Sequence, residues 1–110
     1  MSPLEQGDII EVDFTPAVGH EPAKRRPAIV VSCFAFNARS SVVAVVPITS
    51  KNNGHPFHVP VRAGDASGFA CVEGIRSLDV AQRGYRFVGY ANDEAMWRIM
   101  TCIRGMLDLK

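Results

Sequence analysis

The spacing of the apolar residues changes once along this chain, near Asn92, and that change limits the folds the chain can adopt. Before it lie short runs rich in β-branched residues, separated by turns that contain Gly, Pro or Asn. After it, apolar residues recur at the three- and four-residue spacing of an α-helix. Many short strands followed by one terminal helix indicate a mainly β fold, a small barrel with an appended C-terminal helix.

The strands are predicted from alternating or continuous apolar runs that end at turn residues. In chain order they cover Gly7–Phe14, Ala28–Ser32, Ser41–Ile48, Phe57–Val61, Phe69–Glu73, Ile75–Val80 and Arg86–Gly89, and Ala35–Ser40 is a connection. Proline cannot donate to a ladder, so Pro60 places its strand at a sheet edge or a bulge. Asn92 is predicted to cap the terminal helix, because Asn accepts from unpaired N–H groups at helix starts.

The bulk properties set the class of protein. With 110 residues and 47% apolar residues, we expect a single domain over residues 1–110 with one core. The cysteines at 33, 71 and 102 match no zinc-binding pattern, and Cys33 and Cys71 are expected in the core. We expect a reduced, cytoplasmic setting, since there is no signal peptide and no stretch that could cross a bilayer.

Charge is unevenly distributed although the formal net charge is only +1. Met1 to Glu21 holds five acids and no Lys or Arg, and Pro22 to Gly64 holds six Lys or Arg and no acid. Such a middle segment can focus a positive field on one face, or its cations can be scattered and solvated. The low net charge does not favour bulk nucleic-acid binding.

One loop concentrates chemistry beside a rigid element. His20 and Glu21 precede Lys24, Arg25 and Arg26, and a proline then leads into the apolar run that starts at residue 28. Binding and catalytic groups tend to lie on loops held by a rigid scaffold. The proline fixes the backbone where loop and strand meet, which indicates that Arg26 is directed at a ligand.

Several segments occur in an order that is typical of one family. They are Gly7-Asp8-Ile9-Ile10, Gly19-His20-Glu21, Arg26-Pro27-Ala28-Ile29-Val30-Val31-Ser32, Phe36-Asn37, Pro47-Ile48-Thr49-Ser50 and Arg76-Ser77-Leu78-Asp79. The chain closely resembles the MazF/PemK/Kid toxins of bacterial toxin–antitoxin systems over essentially its whole length. The resemblance implies an SH3-like (CcdB-like) barrel, a homodimer and a cofactor-free, metal-independent endoribonuclease that cuts single-stranded RNA. It also implies a cognate antitoxin with a flexible segment that covers the active groove.

The resemblance assigns catalytic roles to Arg26, Thr49, Glu73 and His20. Metal-free cleavage uses the ribose 2′-OH as nucleophile and leaves a 2′,3′-cyclic phosphate and a 5′-OH. It needs a base, an acid and cationic groups that stabilise the transition state. The guanidinium of Arg26 matches phosphate oxygens and is always charged. Glu73 stands where several members have aspartate, and Cys71 where some have arginine, so the base remains open between Glu73 and His20.

A second group of residues is predicted to contact RNA outside the reacting atoms. It comprises Glu21, Lys24, Arg25, Ser50, Asn52, Asn53, His55 and Phe57. Lys and Arg would hold flanking phosphates, while the amides, the imidazole and the phenyl ring suit base edges and base stacking. His58, within a predicted strand, is interpreted as structural.

Two other functions stay open at this level. CcdB-like gyrase poisons use the same barrel to bind a protein target without catalysis, although they need no phosphate-facing residues. The second alternative is an RNA-binding barrel that has lost catalysis, which the combination of Cys71 and Glu73 keeps open.

Overall fold

The computed structural model describes residues 3–15, 24–51, 54–63 and 66–109. The strands are β1 Asp8–Asp13, β2 Arg25–Val30, β3 Val42–Thr49, β4 His58–Ala63, β5 Ala66–Cys71, β6 Arg76–Asp79 and β7 Tyr85–Tyr90. The helices are α1 Phe34–Asn37, α2 Val80–Arg83 and α3 Asp93–Leu107, and a 3-10 turn covers Val72–Gly74. The predicted mainly β fold with a C-terminal helix is therefore confirmed.

All strands belong to one antiparallel sheet that curls into a half-barrel. The order is β4-β5-β3-β2-β1-β7, and β6 pairs with the first half of β3. The long strand β3 thus joins two parts of the sheet, because β2 and β6 flank its beginning and β5 pairs with its end. Strand β4 lies at one end of this order, which confirms the edge position predicted from Pro60.

Apolar side chains pack on both faces of the sheet. One cluster contains Ile29, Val46, Ile48 and Val59 and packs under α3. The other cluster, on the opposite face, contains Val12, Ala28, Val30, Val43 and Val45. Alternate residues of β2 and β3 enter opposite clusters, as the two-residue period of a strand requires. This burial on both faces explains the continuous apolar runs of the sequence.

The terminal helix α3 starts as predicted. The Asn92 side chain accepts a hydrogen bond from the backbone N–H of Ala95 at 2.8 Å, and Asp93 and Glu94 lie in the first turn. Ala95, Ile99 and Ile103 form the buried stripe. No helix within the described ranges is long and apolar enough to cross a membrane.

Four local predictions were wrong. The predicted connection Ala35–Ser40 contains most of α1, and β2 ends at Val30 rather than at residue 32. Cys33 is exposed, because the chain leaves the sheet before it and turns into the short α1. The strand predicted to reach Glu73 ends at Cys71, and Glu73 lies in the 3-10 turn. This last difference determines where its carboxylate lies.

Candidate active site

Arg26 and Thr49 extend from the same face of the sheet. Ala28 of β2 pairs with Pro47 of β3, and residues paired across an antiparallel ladder share a face. Side chains two residues apart on a strand also share a face. Arg26 is two residues before Ala28, and Thr49 is two residues after Pro47. The two residues predicted to be catalytic therefore lie at adjoining strand ends on one face.

The next two strands continue this face. Thr49 pairs with Phe69 of β5, and His58 of β4 pairs with Cys71 of β5. Phe69 and Cys71 are two residues apart, so Thr49, Cys71 and His58 lie on one side of the sheet. Together with Arg26 they form a row that crosses four strands, which we call the polar face. The opposite side of the same strands carries the buried cluster under α3.

Glu73 joins the polar face through His58. The Nε2 atom of His58 lies 2.7 Å from Oε2 of Glu73, a short hydrogen bond. The His58 side chain is only 4% exposed, whereas that of Glu73 is 39% exposed. The 3-10 turn after β5 brings Glu73 back toward β4. A buried imidazole thus holds a carboxylate that solvent and ligands can reach.

The two ring nitrogens of His58 have different surroundings. An ionised carboxylate only accepts hydrogen bonds, so with a proton on Nε2 the contact is a hydrogen bond donated to Glu73. The other ring nitrogen, Nδ1, is buried and has no hydrogen-bond partner among the described residues. The Nε2 side of the ring is thus the side that fixes Glu73.

His55 completes this corner of the polar face. Its ring stacks on that of His58 with centroids 5.1 Å apart. The Nδ1 atom of His55 accepts the backbone N–H of Phe57 at 3.1 Å and lies 3.9 Å from Oε1 of Glu73. His58 thus contacts Oε2 of Glu73, while Oε1 is the oxygen nearer His55.

The charges of Glu73 and Arg26 both influence the thiol of Cys71. Burial raises the pKa of the Cys71 thiol to about 11, the Glu73 carboxylate adds to this rise, and the Arg26 guanidinium opposes it. The thiol is therefore neutral near pH 7 and replaces neither a cation nor a base. Arg26 and Glu73 are therefore both near enough to Cys71 to influence the pKa of its thiol.

Arg25 points away from the polar face. Its Nε donates to Oε1 of Glu11 at 3.0 Å, and Nη2 of Arg86 lies 3.4 Å from Oε2 of the same carboxylate. These two guanidinium groups lower the pKa of Glu11 through hydrogen bonds. We call Glu11, Arg25 and Arg86 the ion ladder. The predicted contact between Arg25 and an RNA phosphate stays a prediction. To make that contact, Arg25 would have to leave its ion pair with Glu11.

The remaining predicted contacts within the described ranges differ in their surroundings. Thr49 Oγ1 accepts the backbone N–H of Lys51 at 3.3 Å, which leaves its own O–H free to donate. Ser50 is exposed, and Phe57 is partly buried against the cluster under α3. Lys24 is exposed with a positive φ of 67°. His20, Glu21, Asn52 and Asn53 lie outside the described residues.

Two side chains on this face were not selected from the sequence. His58 was interpreted as structural, and only its pairing opposite Cys71 reveals its contact with Glu73. Arg76 pairs with Val45 of β3, its guanidinium lies 5.9 Å from the Phe14 ring, and its buried Nη1 has no hydrogen-bond partner within the described ranges. The available signal for His58 was its three-residue spacing from His55.

Comparisons with known proteins agree on one family. A family model described as PemK-like, MazF-like toxin of type II toxin–antitoxin system matches residues 5–107. The endoribonuclease toxin ChpB of Escherichia coli K12 is 34% identical over 97% of each chain. The endoribonuclease toxin MazF of the same strain is 36% identical over 73% of this chain and 72% of its own.

Solved structures agree with the sequence comparisons. The crystal structure of MazF from Deinococcus radiodurans superposes with a TM-score of 0.90 at 30% identity, covering 97% of this chain and 98% of that one. A MazE-MazF structure from the same organism gives a TM-score of 0.83 at 26% identity over 98% of each chain. The fold described above is thus the fold of these toxins.

Proposed function

Because the chain belongs to the PemK-like, MazF-like family of toxins of type II toxin–antitoxin systems, we propose that it is an endoribonuclease toxin. Its substrate is single-stranded RNA, and cleavage is sequence-specific and independent of metal, as the resemblance implies. Both Escherichia coli relatives are named endoribonuclease toxins. The activity is proposed for this chain on the strength of its own site residues.

The convergence of Arg26, Thr49 and Glu73 carries this proposal. The first two lie on one face at adjoining strand ends. Arg26 and Glu73 both influence the pKa of the Cys71 thiol, and His58 holds Glu73 in place. A cation and a hydroxyl can stabilise the transition state, and an exposed carboxylate can act as the base, in phosphodiester cleavage without a metal.

The proposed reaction is an internal transfer at phosphorus. The ribose O2′ forms a bond to the adjacent phosphorus while the bond from phosphorus to O5′ breaks, which leaves a 2′,3′-cyclic phosphate and a 5′-OH. Arg26 stabilises the charge that builds on the nonbridging oxygens, and the Thr49 hydroxyl donates to the same phosphate. The 2′-OH proton passes to the base, and the departing O5′ gains a proton.

We propose Glu73 as that base, with His20 as the alternative. The carboxylate keeps Oε1 available because His58 satisfies Oε2. His58 is a positioning residue in this scheme, since it fixes the carboxylate without contacting the substrate. A base must lie within hydrogen-bond reach of the proton that it removes, and a held carboxylate satisfies this more often than a mobile one.

The family also suggests the partners. A cognate antitoxin is proposed to cover the polar face, as MazF occurs with MazE in the Deinococcus radiodurans structures. A homodimer is proposed as well, and exposed apolar side chains such as Tyr90 and Trp97 are available for contacts. We propose that the toxin acts in the cytoplasm, where messenger RNA is its substrate.

The decisive experiment is to incubate the purified protein with a mixed RNA pool in EDTA and to sequence the new 5′ ends. The proposal predicts fragments with 5′-OH ends that share one sequence motif. An uncut pool, under conditions where a known toxin of the family cuts, would contradict it. Inhibition of gyrase in a supercoiling assay would then favour the CcdB-like alternative, and tight RNA binding without cleavage would favour a lapsed enzyme.

A further inference from the structure

His55, His58 and Glu73 form a cluster of side chains that could coordinate a metal ion. Each offers one nitrogen or oxygen ligand atom, and these atoms all lie within 4.8 Å of one another. Nε2 of His58 lies 2.7 Å from Oε2 of Glu73, and Nδ1 of His55 lies 3.9 Å from Oε1. Three such groups from two segments of chain converge on one point at the edge of the sheet.

The donor set favours a late divalent transition metal. Imidazole nitrogen suits Zn²⁺, Ni²⁺ and Cu²⁺, whereas Mg²⁺ and Ca²⁺ prefer sites made of oxygen ligands. Two histidines and one glutamate are a known ligand combination for zinc, with a fourth position left open. His55 and His58 are three residues apart in the sequence, and Glu73 reaches them from the 3-10 turn after β5.

His58 needs little movement to bind a metal ion. Its Nε2 already lies 2.7 Å from Oε2 of Glu73, so these two ligand atoms converge before an ion binds. Glu73 exchanges a hydrogen bond for a metal bond. The buried Nδ1 has no hydrogen-bond partner within the described ranges, so a proton placed there has a cost that the metal bonds must exceed.

His55 makes the larger movement. Its ring is nearly parallel to that of His58, with an interplanar angle of 21°, and must turn so that a nitrogen points at the shared ion. The side chain is 41% exposed and precedes β4, so solvent rather than packed core surrounds much of it. If Nδ1 becomes the ligand, the Phe57 N–H loses its acceptor, and if Nε2 does, the ring must rotate further.

We propose that His55, His58 and Glu73 bind one Zn²⁺-type ion, and that the bound ion inhibits the toxin. The binding part stands on the cluster alone, whereas the inhibition part rests on the proposed function. A metal ion on Glu73 removes the carboxylate that would accept the 2′-OH proton. It also places a cation and its coordinated water where the ribose would lie.

Binding is tested on the metal-stripped full chain by isothermal titration calorimetry with ZnCl₂. We expect one Zn²⁺ per chain, and at least about tenfold weaker binding in His55→Ala and Glu73→Gln, which each lose a ligand. Cys33→Ser is the matched control, because it removes an exposed alternative ligand that lies outside the cluster. His58→Gln is included with its circular dichroism spectrum, since His58 is buried.

Several results of the titration would overturn the metal site. Unchanged binding in the folded His55→Ala protein overturns the site, as does binding that disappears in Cys33→Ser. If His58→Gln does not fold, His55→Ala and Glu73→Gln still decide the question. A Zn²⁺ stoichiometry of zero in the wild type also overturns it.

Inhibition is measured as the ratio of RNA cleavage with and without Zn²⁺ within each protein, so basal differences between variants cancel. The ratio should fall well below one for the wild type and stay near one for His55→Ala. A protein that binds Zn²⁺ but never cuts RNA would support the metal site and contradict the proposed function. A protein that cuts RNA equally with and without bound Zn²⁺ would overturn the inhibition.

Discussion

Arg25 and Arg26 are neighbours in sequence but lie in two charged regions of opposite character. Arg25 belongs to the ion ladder, where two guanidinium groups surround one carboxylate and lower the pKa of Glu11. Arg26 belongs to the polar face, where His58 uses one Glu73 oxygen and leaves the other available. Charges that satisfy each other stabilise a surface modestly, whereas ionisable and polar groups gathered around an exposed carboxylate are candidates for contacts with a substrate.

The difference arises from strand geometry. Successive residues of a strand point to opposite faces, so β2 sends Arg25 to one side and Arg26 to the other. The ion ladder lies along β1, β2 and β7, where Glu11 of β1 pairs with Arg86 of β7 and Arg25 begins β2. The polar face forms where β2 and β3 stop pairing and the 3-10 turn begins. The strand face, rather than the position along the strand, thus separates the two arginines.

The largest effect is expected from Glu73→Gln, which keeps the shape of the side chain and removes the proposed base. General base catalysis contributes about 10²- to 10⁴-fold, so cleavage should fall by a factor in that range. Single-turnover cleavage in EDTA across a pH series provides the measurement. If Glu73 is the base, the acidic limb of the wild-type profile disappears in the variant. A retained limb would assign the base to another group, His20 first.

Arg26→Ala compared with Arg25→Ala contrasts the two regions directly. Removing one donor to a transition-state oxyanion costs about 10²- to 10³-fold, so Arg26→Ala should lose that much activity. Arg25→Ala should lose only a small fraction as much, because its guanidinium is engaged with Glu11. Cleavage rates of both variants, with thermal melts to establish folding, are the measurement. Equal losses of cleavage rate in the two variants would contradict the different roles of Arg25 and Arg26.

Substituting one glycine near each region tests how closely the backbone is packed there. A Cβ on Gly68 would lie 2.7 Å from the carbonyl oxygen of Thr49 and 2.8 Å from Cγ2 of Ile48. Gly68→Ala should therefore lower the free energy of unfolding by about 1–3 kcal/mol. A Cβ on Gly89 of β7 would have no atom of the described residues within 4 Å, so Gly89→Ala should be close to neutral. Chemical denaturation of both variants tests this, and equal stabilities would contradict the close packing beneath Thr49.

The smallest effect is expected from Glu11→Gln, and it should depend on pH. The folded-state pKa of Glu11 is lowered, so its contribution is present above the unfolded pKa and disappears as pH falls through the folded value. The wild type should therefore melt slightly higher than the variant at neutral pH, and the difference should vanish in acid. Melting curves at several pH values measure it, with a difference that grows in acid as the contrary result.

Much of the fold follows from local pattern. The apolar runs predicted where the strands lie, Pro60 predicted the sheet edge, and Asn92 predicted the start of α3. Each of these features depends on the chemistry of nearby residues. The order of segments also identified the family, which the comparisons confirm. These features need no knowledge of which strands pair.

Only part of the candidate site can be predicted from local sequence. Arg26 and Thr49 were selected from their segments, but the His58 contact with Glu73 depends on the pairing of β4 with β5 and on the 3-10 turn that follows. The ion pair of Arg25 depends in the same way on β1 lying beside β2. Alternation predicts which residues share a face of one strand, but it does not predict which neighbour lies opposite.

The most direct test of attack by the 2′-OH uses an RNA whose cleavage site is known from end sequencing. One 2′-deoxy nucleotide replaces the residue on the 5′ side of that site, and the wild-type protein is assayed in EDTA. We expect that cleavage at this position is abolished while the unmodified RNA is cut to a 5′-OH end. Cleavage of the deoxy substrate would contradict attack by the 2′-OH, and with it the roles assigned to Arg26 and Glu73.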